Sequence, residues 1–115
     1  MGLVERFRRR RNESGSTRGA EPEDERHLRG WAAQRRGVEA YVEPPTTVTG
    51  LTVVLVAHDG EWTRRRIGGV RDVRRLGKDL AIPVYDVQKV GYPQRMRDHD
   101  ARARVLRERE RRSDL

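Results

Sequence analysis

Residues 48–67 read VTGLTVVLVAHDGEWTRRRI, and the fold turns on this stretch. Val53, Val54, Leu55 and Val56 are consecutive and apolar, so the expected strand Val48–Ala57 is covered on both faces at its centre. Asp59-Gly60 marks a two-residue type I′ hairpin turn. The returning strand, Glu61–Ile67, alternates Trp62, Arg64 and Arg66 on one face with Thr63, Arg65 and Ile67 on the other. Neither face is cleanly apolar, which fits an edge strand whose charges discourage unwanted pairing.

Gly68-Gly69 ends that strand. Val70–Leu80 then reads as a helix, with Val70, Val73, Leu76, Gly77 and Leu80 on one stripe. Ala81–Val87 follows as a strand that Pro83 should start rather than interrupt. The expected core is a small α+β domain of order ββαβ. Its three-stranded sheet carries one packed helix, and the helical crossover allows the last two strands to run parallel.

On the N-terminal side, residues 21–37 read as an amphipathic helix. Pro22 suits its first position, Glu23, Asp24 and Glu25 the positive end of its dipole, and Arg35, Arg36 and Gly37 its C-terminal end. Leu28, Trp31 and Ala32 form a narrow apolar stripe that must dock on something. Pro44-Pro45 reads as the end of any helix and an extended approach to the core. Residues 1–20 read as a disordered basic arm containing Arg8–Arg11, where Leu3, Val4 and Phe7 could share one turn of a short basic helix. Residues 38–93 hold the α+β core. Residues 94–115 form a charged helical tail, in which Asp98 with Arg102, Asp100 with Arg104 and Glu108 with Arg112 are spaced for ion pairs.

Composition narrows the function. The chain has 115 residues, a net charge of +8 and no cysteine. Disulfide scaffolds, cysteine-based metal sites and thiol catalysis are therefore excluded. No apolar run is long enough to span a membrane, and the arginine-rich start is no secretory signal, so a cytoplasmic protein is expected. Arginine outnumbers lysine 24 to 2, a bias that a GC-rich genome alone can produce.

Arg64-Arg65-Arg66-Ile67-Gly68-Gly69-Val70-Arg71 is the first candidate site. A basic strand end leads through two glycines into a helix start, where backbone N–H groups attract anions. Arg64, Arg65, Arg66, Gly68, Gly69 and Arg71 are thus candidate contacts to phosphate. A solvated edge strand and an ordinary Gly-Gly turn explain the same residues. Tyr85, Asp86, Tyr92 and Arg95 cluster at or beyond the end of the last strand, where ligands gather in open sheets. Capping of a small core is the plainer role for the two tyrosines. Trp31 and Trp62 are candidate partner contacts. His58-Asp59 belongs to the turn, and His27, His58 and His99 have no metal-site spacing.

The stretch TVVLVAHDGEWTRRR, the following helix, IPVYD and VGYPQRMRD resemble a family of small actinobacterial proteins of uncharacterised function. Members of that family often carry the automatic label "oxidoreductase". The resemblance spans about residues 38–99 and implies no catalytic residue set. No redox cysteine, dinucleotide fingerprint or flavin motif accompanies it, and no cofactor is expected. The reading is therefore a non-enzymatic binding protein for nucleic acid or an RNA–protein assembly. A protein-interaction module, homodimeric through the edge strand 61–67 and Trp31, is one alternative, and an enzyme that takes the family label literally, with Asp86 and Tyr92 as its only candidate residues, is the other.

Overall fold

The computed structural model describes residues 22–46 and 50–114. Its elements are α1 (Pro22–Ala33), β1 (Glu39–Thr46), β2 (Gly50–Val56), β3 (Trp62–Arg66), α2 (Val70–Leu80), β4 (Val84–Asp86), α3 (Val87–Val90) and α4 (Gln94–Ser113). The expected basic arm, residues 1–20, and the first two residues of the strand expected from Val48 lie outside the described residues.

The domain is α+β, but the expected three-stranded sheet with one packed helix is wrong. The sheet has four strands in the order β3-β2-β1-β4. The unforeseen strand is β1, which pairs antiparallel with β2 from Glu39↔Val56 to Glu43↔Thr52. Pro44 and Pro45 sit where the register shifts between Glu43 and Thr46, both exposed, so their missing N–H groups cost the ladder little. β4 runs parallel to β1, with Ala40↔Val84 and Val42↔Asp86 in register, and does not lie beside β3. Pro83 precedes it directly, and its carbonyl accepts the Ala40 N–H at 2.9 Å. β3 is an edge strand, as the sequence indicates.

Both faces of the sheet are covered. On the first, α1 and α2 bury Leu28, Trp31, Val53, Leu55, Val73 and Leu76 with Ala40, Ala57 and Ile67. On the second, Tyr41, Val54 and Val56 meet Met96 of α4, with Trp62, Val87 and Tyr92 packed against them. The alternation of β2 between the two clusters explains its unbroken apolar run.

The turn after β2 also differs from expectation. Ala57–Glu61 separates the strands, and Gly60 has φ +92° while Asp59 keeps a negative φ, so the turn is not type I′. Asp59 Oδ1 instead accepts the Glu61 N–H at 3.0 Å. A Cβ on Gly60 would stand 1.9 Å from the Arg95 carbonyl oxygen, which shows how closely α4 presses on this turn. Helix α4 is docked only through its first half. Residues 104–114 are exposed, Val105 and Leu106 among them. Two of the carboxylates expected to pair with arginines along it have other partners: Asp98 accepts from Gln94 of the same helix and Asp100 from the Trp62 indole.

Candidate nucleic-acid interface

The expected anion cradle at residues 64–71 is divided by the structure. Arg64 donates from Nε and Nη2 to the two Glu43 oxygens, at 2.7 and 3.0 Å, and its guanidinium lies 5.1 Å from the Trp62 ring centroid. Arg65 sits 3.6 Å from Asp24 of α1 and donates to the Arg64 carbonyl. Both are occupied within the chain. Arg66 and Arg71 are exposed. Gly69 caps α2 in an extended conformation, φ 176°, which any residue adopts. Space around it is open, and Asp72 places a carboxylate in the first helical turn. The conformation at Gly69 therefore does not itself require glycine.

The residues beyond β4 form a closed polar layer between the second sheet face and the C-terminal segment. Glu39, Tyr41 and Glu43 alternate onto that face of β1. Glu43 accepts from Arg64, from Thr52 Oγ1 at 2.8 Å and from the Tyr92 hydroxyl. Burial pushes its carboxyl pKa up, but the hydrogen bonds from Arg64, Tyr92 and Thr52 outweigh burial and hold it below the ordinary glutamate value. Glu39 accepts from Arg95 and from the Tyr41 hydroxyl, with the same balance of burial against hydrogen bonding and the same net lowering. Arg95 Nε also donates to the Ala57 carbonyl at 2.9 Å. Tyr85 is 37% exposed, with its ring 5.4 Å from that of Tyr41. Asp86 caps α3 by accepting the Gln88 N–H. Tyr92 and Arg95 thus clasp the C-terminal segment to the sheet, and Asp86 starts a helix.

Trp31 lies in the first core, 8% exposed, with the Arg35 guanidinium 4.2 Å above its ring. Its face is covered within one chain. Trp62 is half-buried against α4. The histidines are dispersed, and no cluster of metal-ligating side chains occurs among the described residues. A cavity of about 390 Å³ lined by Ala32, Val38, Leu80, Ile82 and Pro83 lies beside Arg35, whose guanidinium is spent on Glu61.

The outward face of α2 differs from all of these. Arg71, Arg74, Arg75 and Lys78 are exposed. None of them takes part in an ion pair among the described residues. At 3.6 residues per turn they fall within an arc of about 100° and span about 10 Å of helix. Val73, Leu76 and Gly77 are buried on the opposite side, so packing aims the four cations away from the sheet. The acidic residues of α2 stand on one flank, where Asp79 is neutralised by Arg29 of α1 at 2.9 Å. Sequence reasoning named Arg71 alone. The missed signal is the i, i+3, i+4, i+7 spacing of cations, the complement of the apolar stripe that was read.

Comparison with known proteins adds no relative: no family model, no curated protein and no solved structure matches the chain. No helix among the described residues is long and apolar enough to cross a membrane.

Proposed function

We propose that the protein is a non-enzymatic nucleic-acid-binding protein that engages phosphates through the outer face of α2. The carrying observation is the row of four exposed cations, in no ion pair among the described residues, on a helix whose other side is locked into the core. A rigid cationic face releases condensed counterions when it meets a polyanion, which supplies affinity without sequence readout. The arginines of β3 do not serve this role equally, because Arg64 and Arg65 already have carboxylate partners.

The test is filter binding of the full chain to a mixed pool of cellular DNA and RNA across a salt series. Wild-type affinity should fall steeply as salt rises. Replacing Arg71, Arg74, Arg75 and Lys78 by Gln should cost roughly tenfold or more at low salt and flatten the log–log salt slope. Salt-independent binding, or an unchanged slope in the variant, contradicts the proposal.

A further inference from the structure

The stripe also constrains the shape of its ligand, an inference that rests on the nucleic-acid reading. We infer that α2 docks in the major groove of duplex DNA, contacting backbone phosphates and not stacked bases. Proteins that hold single strands pair a concave basic channel with aromatic faces on which bases stack. The α2 face is convex, and none of its exposed side chains is aromatic. The one aromatic residue of the adjacent α1, Trp31, is buried beneath α1. Tyr41, Trp62 and Tyr92 pack on the other side of the sheet.

Dimensions favour the B-form. An α-helix with its side chains is about 10–12 Å across, and the B-form major groove is about 12 Å wide. The A-form major groove of duplex RNA is deep and narrow and does not admit side chains. Arg74 on one side of the arc and Arg75 on the other point toward opposite groove walls, with Arg71 and Lys78 between them in angle. Fixing α2 through Val73, Leu76 and Gly77 presents these cations in one geometry, without an ordering cost for the backbone.

Fluorescence anisotropy of the full chain decides the matter, with labelled duplex DNA of about 20 base pairs, duplex RNA of the same sequence and one DNA strand alone. Duplex DNA should bind roughly tenfold more tightly than either competitor. The variant R71Q/R74Q/R75Q/K78Q should lose roughly tenfold or more on duplex DNA, and its salt slope should fall by about 3–4. A control, R104Q/R107Q/R111Q on the exposed end of α4, removes similar charge and should lose under roughly threefold. Circular dichroism melts establish folding, and the milder R71Q/R75Q variant replaces the fourfold one if that fails to fold. Equal or tighter binding of single-stranded DNA or duplex RNA, with the stripe variant still weakened, overturns the duplex-DNA inference alone. Absence of binding to all three, or equal losses in stripe and control variants, overturns the nucleic-acid reading as well.

Discussion

Glu43 shows how much of this protein depends on a few side chains that meet across the sequence. Its partners come from β2, β3 and the segment before α4, and its side chain is 13% exposed. A charge-assisted hydrogen bond to such a carboxylate is worth about 1.5–3 kcal/mol net. The folded pKa lies below the unfolded reference of 4.5, so the unfolded state binds the proton more readily. The stabilisation is therefore fully present above that reference and lost as pH falls through the lower folded value. Glu43→Gln should destabilise the domain by about 2 kcal/mol at neutral pH and by clearly less near about pH 3. Urea denaturation followed by tryptophan fluorescence at both pH values measures this, and an equal loss at both would count against the linkage.

At the scale of elements, the β2–β3 turn and α4 make a close approach at Gly60. Gly60 permits it twice over, through its positive φ and through the missing Cβ that would meet the Arg95 carbonyl. Arg102 adds a hydrogen bond to the Asp59 carbonyl at 3.1 Å. Gly60→Ala combines strain with a backbone collision, and we expect a loss of about 3 kcal/mol with partial undocking of α4. Chemical denaturation gives the stability. Faster amide exchange at Met96–Asp100 would report the undocking, and unchanged exchange there would refute it.

The elements also explain what could be read in advance. β2, β3, α2 and the start of α1 carry their own periodicity or end signals, so their existence was legible. β1 was not, because its second-face residues Glu39, Tyr41 and Glu43 look like a polar loop until Arg95, Arg64 and Tyr92 arrive from distant positions. The two prolines, sitting where the register shifts, further mask the strand. The same non-locality bears on the candidate residues of β3. Arg64 looks free in the sequence, and only the tertiary fold brings Glu43 to it. The basic face of α2 was locally legible, since it depends on helical spacing alone.

For the whole molecule, α4 marks the limit of the cooperative unit. Its first half carries Met96 and Arg95 into the second core, while residues 104–114 stay exposed. Ending the chain after Ala103 should leave the unfolding free energy unchanged within about 0.5 kcal/mol and reduce only helical ellipticity. Ending it after Pro93 should uncover Tyr41, Val54 and Val56 and induce binding of a hydrophobic dye. Denaturant titration and dye fluorescence of the two truncations test this division, and a large loss on removing residues 104–115 would contradict it.

The place of β4 beside β1 has a temporal consequence. Ala40 and Val84 are partners, yet roughly forty positions of chain separate them. A ribosome adding residues at about 5–20 per second leaves the β1 edge unmated for about 1–4 seconds after β3 completes the β1–β3 meander. During that interval the nascent sheet has a vacant place into which another nascent chain could pair. Only the three residues Val84–Asp86, held over the edge by Pro83, end that vulnerability.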